Sequence, residues 1–209
     1  MMLALTFDDG PNTTTTNEVL DLLEEHGIVA SFFLIAQNIN EASAASVRRA
    51  VSMGCEINNH TVTHRHMDQL EPEEIRREIR ECSEKIVEIT GVPPRFFRPP
   101  FIAVNDAMFD LVDLPFICGV GCRDWEPAVT AQERIDLLRA KVRDGDLILL
   151  HDMVGNVNTV ETLRVLIPEF KARGFRFVTC SELFREAGVI PRRGILYSNV
   201  RQTVRRDDR

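Results

Sequence analysis

The feature that most constrains this chain is a recurring unit: an amphipathic stretch, a glycine, then a short apolar run. It appears as Glu25-His26-Gly27 before Ile28 to Leu34, and as Ser52-Met53-Gly54 before Cys55 to Ile57. It returns at Gly145 before Leu147 to Leu150 and at Gly174 before Phe175 to Val178. A glycine just past a helix accepts the left-handed conformation that stops the helix and turns the chain. Gly91 closes another helix, and Pro93-Pro94 prevents its continuation. The apolar runs are short and nearly unbroken, as expected of parallel strands buried on both faces. Helices and strands alternating in this way make an α/β fold, open or closed into a barrel. Loops at the C-terminal ends of such strands are where α/β enzymes place their chemistry.

Between the glycines, Ile75, Ile79, Cys82, Ile86 and Ile89 recur at three- and four-residue spacing and define a core-facing stripe. Glu73, Arg76, Arg77, Glu78 and Arg80 fill the rest of that helix and are expected to form a solvated surface. With 209 residues, 44% of them apolar, the chain can build one full-sized core. A single domain over 1–209 is expected, with a core over about 3–186 and a C-terminal extension over 187–209.

The formal net charge of −7, with basic residues scattered until the last few positions, argues against nucleic acid or an anionic membrane as a partner. Arg201 to Arg209, which mixes arginine with Asp207 and Asp208, reads as a frayed, solvated tail. No segment approaches the ~20 apolar residues of a membrane span. Met1 leads almost directly into an apparent core strand, with no basic-then-apolar leader. A cytoplasmic protein is expected if Met1 is the native start, and a secreted or cell-surface one if the chain has been trimmed. Cys55, Cys82, Cys118, Cys122 and Cys180 form no CxxC pair and are odd in number. They read as small buried hydrophobes rather than a disulfide framework.

Polar residues then gather at the ends of the predicted strands. Leu3 to Phe7 runs into Asp8-Asp9-Gly10-Pro11. Two adjacent carboxylates at the end of a buried strand are costly unless something positive lies beside them. Taken alone, the tetrapeptide reads more readily as a turn. Glu56 to Asn59 runs into His60-Thr61-Val62-Thr63-His64, and two histidines four apart meet on one side of a helical turn, where both rings reach one metal. His66 falls off that register and reads as surface. In Arg98-Pro99-Pro100-Phe101 the double proline stiffens the loop and leaves the Phe101 N–H available. Arg123-Asp124-Trp125 contains the only tryptophan, and the apolar run Leu147 to Leu150 ends on His151-Asp152.

Thr6-Phe7-Asp8-Asp9-Gly10-Pro11, His60-Thr61-x-x-His64, Arg98-Pro99-Pro100-Phe101, Asp124-Trp125 and Leu149-x-His151, in that order, resemble the five motifs of the polysaccharide deacetylases. This is carbohydrate esterase family 4, and the resemblance spans about residues 3 to 186. It implies a distorted (β/α) barrel with fewer than eight regular strands. It implies Asp9, His60 and His64 as ligands of one divalent ion, zinc or cobalt, with Asp8 as catalytic base and His151 as general acid. Arg98 would hold Asp8, and Asp124 would orient Arg98. Leu149 and Trp125, beside Pro99 and Pro100, would wall the pocket for the acetyl methyl.

Elementary chemistry supports those roles. A divalent ion acidifies water and polarises an acetyl carbonyl. An oxyanion donor such as the Phe101 N–H contributes about 3 kcal/mol. A sugar leaving group needs a proton, which His151 can supply. Two departures stand out: the third motif ends in Phe101 rather than Tyr, and the fourth keeps only Asp124-Trp125.

The implied partner is a carbohydrate, either an acetylated xylan or an N-acetylated chitin, chitooligosaccharide or peptidoglycan. Arg95 to Pro100, Asp124 to Pro127, Asp144 to Asp152 and Phe177 to Phe184 look most like acetylxylan esterases joined to bacterial xylanases. Deacetylation of acetylxylan is therefore favoured, with attachment to other glycan-degrading modules. A phosphoesterase would want more ligands or more cations than Arg98 and Arg123 supply. A non-catalytic glycan binder has no need of both Asp8 and His151.

Overall fold

The computed structural model describes residues 1–202. Strand β1 (Met2–Asp8) leads into helix α1 (Thr15–His26), which Gly27 ends at φ 59°. Strand β2 (Ser31–Leu34), helix α2 (Glu41–Ser52) and strand β3 (Glu56–Asn59) follow. The longest helix, α3 (Pro72–Thr90), has proline in its first turn, where the missing N–H costs nothing, and is closed by Gly91 at φ 72°. Then come α4 (Asp106–Leu111), β4 (Phe116–Ile117), β5 (Val120–Gly121), α5 (Ala131–Lys141), β6 (Asp146–His151) and α6 (Val157–Ala172). The described chain ends with β7 (Arg176–Phe177), α7 (Cys180–Glu186) and β8 (Leu196–Tyr197).

The main sheet is parallel, in the order β3-β2-β1-β6-β5. Its axis is the β1–β6 pair, matched from Leu3↔Asp146 to Asp8↔His151. β1 serves two neighbours on its other side, β7 along Met2 and Leu3, and β2 along Thr6 to Asp8. Among the described residues, only β1, β2, β3 and β6 have four residues or more. Single bridges Asn59↔Phe97 and Phe97↔Phe116 carry β3 across to β4, which pairs with β8. The Ser198 carbonyl accepts from Leu147 N–H and returns the ring to β6. The result is the distorted barrel with fewer than eight regular strands.

Because the central strands are covered on both faces, Leu3, Ala4, Phe7, Leu147, Ile148 and Leu150 are wholly buried. The α3 stripe packs as its periodicity predicts, with Ile75, Cys82 and Ile86 buried. Each such side chain contributes on the order of 1.5–3 kcal/mol. The five cysteines are free, and only Cys118 is not fully buried.

The C-terminal extension proves to be partly structural. Ile195, Tyr197 and Val200 pack into a core cluster with Ala4 and Leu147, and Arg201 pairs with Asp144 at 3.2 Å. The remainder of the predicted tail, 203–209, lies outside the described residues.

Candidate active site and metal centre

All the strand-end motifs open at one rim of the barrel. Asp8 is the last residue of β1 and is buried. Asp9 follows at φ 73°, and this left-handed step sends the two adjacent carboxylates to different partners. Asp8 Oδ1 accepts from Arg98 Nη1 at 2.5 Å. Arg98 Nη2 donates to Thr6 Oγ1 at 2.8 Å, and its guanidinium lies 4.2 Å over the Phe33 ring.

Asp9 turns toward the histidines: its Oδ1 lies 3.4 Å from His60 Nε2 and 3.3 Å from His64 Nε2. That oxygen is buried and accepts no hydrogen bond. His60 Nδ1 lies 2.6 Å from the Arg98 carbonyl, which can only accept. Nδ1 therefore carries the proton, and the Nε2 lone pair faces Asp9. One ligand atom from each of Asp9, His60 and His64 falls within 4.8 Å of the others. An unpaired buried carboxylate oxygen facing imidazole lone pairs fits a divalent metal ion, and the donor set suits a transition metal.

The two histidines do not sit on a helical turn. Residues 60–66 form a loop, with Thr61 at φ 71° and His64 at φ 57°. Asn59 Oδ1 accepts from Thr61 N–H at 2.8 Å, which diverts the backbone from a helix as β3 ends. Glu78 of α3 completes the hold. Its carboxylate accepts from the N–H groups of Val62 and Thr63, at 2.8 and 2.9 Å, and from the Thr63 hydroxyl at 2.7 Å. Burial raises its carboxyl, but these donors, with Arg65, outweigh burial and hold it below the usual range. Glu78 is thus not part of a solvated face; it is 3% exposed. The sequence carried the signal, since position 78 stands three after Ile75 and four before Cys82, on the apolar stripe.

Across the pocket, Asp124 departs from its expected role. It does not touch Arg98; its Oδ1 meets His151 Nδ1 at 2.8 Å and its Oδ2 accepts from His151 N–H at 2.7 Å. The reason is topological. Asp124 follows β5, which pairs with β6, so it faces the end of β6, where His151 stands. Arg98 enters from the segment bridging β3 and β4. Burial lowers the His151 imidazole, but the Asp124 contact overrides it, and with Asp8 and Asp9 nearby the group rises to about 9.

These groups surround a cavity of about 310 Å³. Asp8, Asp9, His60 and His64 line it together with Trp125, Leu149 and His151 and with Pro99, Phe101 and Ile102. Pro100 does not line it; it is buried, since the short turn from Pro100 to Ile102 points it inward. Phe101, at φ 59° and 58% exposed, stacks on His66 with centroids 4.0 Å apart. His66 is exposed as expected, but it supports Phe101. The non-glycine residues at positive φ among those described are Asp9, Thr61, His64, Phe101, Ile102 and Arg123. All lie on these rim loops, where a strained backbone holds a site in shape.

Beneath the rim, Asp152 is buried, accepts a hydrogen bond from the Thr16 hydroxyl, and is pushed up to about 7 by burial. A β-carbon on Gly10 would lie 2.6 Å from Asp152 Oδ2, so any larger residue there would have to displace the buried Asp152 carboxylate. A second cavity of about 550 Å³ shares Asp9 and His64 with the first. Asn12, Gln37, Asn38, Asn40 and Ser43 line it, with no lysine or arginine.

A distorted α/β barrel with a one-carboxylate, two-histidine centre between a buried Asp–Arg pair and an Asp–His pair defines a metal-dependent hydrolase. Comparison with known proteins makes the class specific. The polysaccharide deacetylase family model matches residues 1–114, and the chain belongs to that family, carbohydrate esterase family 4. It is a metal-dependent carbohydrate deacetylase.

A bifunctional xylanase/deacetylase of Pseudobutyrivibrio xylanivorans is 46% identical over 190 residues, 91% of this chain. The match covers 31% of that relative, so the chain spans about a third of its length. The Xyl-CE4 domain of a multidomain xylanase, from the hindgut metagenome of Trinervitermes trinervoides, is 44% identical. It superposes with a TM-score of 0.93 over 95% of this chain and 97% of its own. A family 4 acetyl xylan esterase from Clostridium thermocellum, in complex with a cobalt ion, is 38% identical. Its TM-score is 0.92, over 97% of this chain and all of its own.

Proposed function

We propose that this chain removes O-linked acetyl groups from acetylated xylan, and that in its native setting it works beside other glycan-degrading modules. The chemistry rests on the Asp9–His60–His64 cluster standing between Asp8 and His151 around one small cavity. Likeness to a xylanase-linked deacetylase and an acetyl xylan esterase supports xylan as the polymer. So does the amide-lined groove beside the cavity, which offers sugar hydroxyls hydrogen bonds and offers an anionic glycan no cation.

Asp9, His60 and His64 would hold a zinc or cobalt ion. When bound, such an ion polarises the acetyl carbonyl and acidifies water. Asp8 takes the proton of the attacking water, with Arg98 fixing its other oxygen so that one lone pair stays aimed at the cavity. The Phe101 N–H, held on its strained loop, donates to the developing oxyanion. His151, its Nδ1 held by Asp124, gives a proton from Nε2 to the departing sugar oxygen. Trp125 and Leu149 enclose the acetyl methyl, and Pro99 keeps the loop stiff beside it.

Acetate release from acetylated xylan and from chitooligosaccharides, measured side by side after chelation and return of zinc or cobalt, tests this reading. Release from xylan is the expected result. Release mainly from the chitooligosaccharide would move the substrate to N-acetylated glycans while leaving the residue roles intact.

A further inference from the structure

Behind the His151 wall lies a buried arginine that the steps above do not use. Arg134 in α5 is 1% exposed, yet among the described residues no carboxylate comes within ion-pair distance of it. A buried cation facing only neutral groups is costly, so the groups it faces merit attention. Its Nε donates to the Val129 carbonyl at 3.0 Å and its Nη2 to that of Glu126 at 3.3 Å. Its Nη1 donates to Asn156 Oδ1 at 2.7 Å and to Thr159 Oγ1 at 2.9 Å.

Both Nη1 partners pass the polarity on in one direction. Guanidinium has donors only, so the Thr159 hydroxyl must accept from Arg134, and its single proton is left for Asp124 Oδ2 at 2.9 Å. Asn156 must turn its carbonyl oxygen to Arg134. Its amide nitrogen then donates to the carbonyls of His151, at 2.9 Å, and Asp124, at 3.2 Å. With Thr159 and the His151 N–H on Oδ2, Asp124 keeps Oδ1 for the imidazole Nδ1. Every hydrogen bond from Arg134 through Thr159 and Asn156 points toward the Asp124–His151 pair, the arrangement in which such bonds reinforce one another.

We propose that Arg134 is a positioning residue which, through Thr159 and Asn156, locks Asp124 and so aims His151 Nε2 at the leaving oxygen. The inference rests on His151 being the general acid. In that step the C–O bond to the acetyl carbon breaks, its electron pair stays on the sugar oxygen, and the His151 proton joins that oxygen. An arginine that merely clamped the 126–129 turn to α6 would affect all substrates alike. One that aims an acid affects only substrates whose leaving group needs a proton.

The test uses Thr159→Val, which deletes the linking hydroxyl, in the full chain with metal restored. kcat is measured on an acetylated xylooligosaccharide and on 4-nitrophenyl acetate, whose leaving group departs without protonation. The ratio of the two rates does not depend on how much of the variant is folded. The expected result is a loss of about tenfold on the sugar ester, as for outer-shell partners of functional ligands. KM should hold, the aryl ester should lose less than about twofold, and Thr159→Ser should restore the ratio. An unchanged ratio in Thr159→Val, whether both rates hold or both fall, overturns the proposal. His151→Ala is the reference: equal losses on both esters there would show that the acid assignment, and not the link to Arg134, had failed.

Discussion

Replacing Glu78 with glutamine tests whether the metal centre depends on a residue that never touches it. In the parent, one carboxylate oxygen takes the N–H groups of Val62 and Thr63, and the other takes the Thr63 hydroxyl and Arg65. Glutamine can keep its oxygen on the two N–H groups, but its amide then meets Arg65 donor to donor. Hydrogen bonds to a charged acceptor contribute roughly 1.5–3 kcal/mol and neutral ones roughly 0.5–1.5, so two such bonds lose about 2–3 kcal/mol together. Water at the loop's rim recovers part of that, leaving about 1–2 kcal/mol against the loop conformation that presents His64. If the loop must be in place to bind metal, that energy appears as zinc affinity about 5–30-fold weaker. Calorimetric titration of zinc into metal-stripped parent, Glu78→Gln and Glu78→Ala proteins measures it, with the alanine variant weaker still. Parent-like affinity in Glu78→Ala would refute the reasoning, because it would mean that His64 is placed without the loop's anchor.

Two further outcomes separate the roles around the cavity. Asp8→Asn should bind zinc within about twofold of the parent yet lose at least 10²-fold in kcat, the scale of general-base catalysis, whereas His64→Ala should lose zinc affinity itself; titration beside acetate release checks both. Asp124 holds the His151 imidazole up at about 9, and an acid must be protonated to act, so sugar-ester hydrolysis should persist into alkaline solution and fall as pH climbs through that value. Asp124→Asn removes the principal raising influence, so the falling limb should move to lower pH, which a pH–kcat profile detects; an unmoved limb would assign it to another group.

The parts of this fold that the sequence exposed are those fixed by local rules. Glycine stops and unbroken apolar runs located the strands β1, β2, β3, β6 and β7 to within a few residues, because burial on both faces leaves no alternation to blur the pattern. The two-residue strands β4, β5 and β8 left no such trace. Their pairing depends on Phe97 and Ser198, which reach the ladder through single hydrogen bonds set by the tertiary path. For the same reason, residues 187–209 read as an extension beyond the core, yet Tyr197 and Val200 pack into it.

In the candidate site, residue identities were legible and their connections were less so. The spacing of His60 and His64 suggested a helix, but Asn59 and Glu78 impose a loop, and that competition is decided by a side chain from another element. Asp124 was read toward Arg98 on family pattern, whereas strand order takes it to His151. Nothing in the sequence pattern singles out Arg134 on α5. Only the placement of Asn156 and Thr159, more than twenty residues away, gives it a direction.

The pairing of β1 with β6 has a consequence for how such a chain can vary. Asp8 and His151 are the last of six matched positions, and a slip by one residue would exchange the two buried faces of β1, taking Leu3, Leu5 and Phe7 out of the cluster they fill and turning Asp8 with them. The spacing of these two groups, to which we assign the proton transfers, is therefore policed by hydrophobic packing several residues below them. Insertions in the loops beyond β1 and β2, which shape the amide-lined groove, leave that register alone. Such a chain can vary its rim by editing those loops, while the groups at the strand ends are inherited as a block.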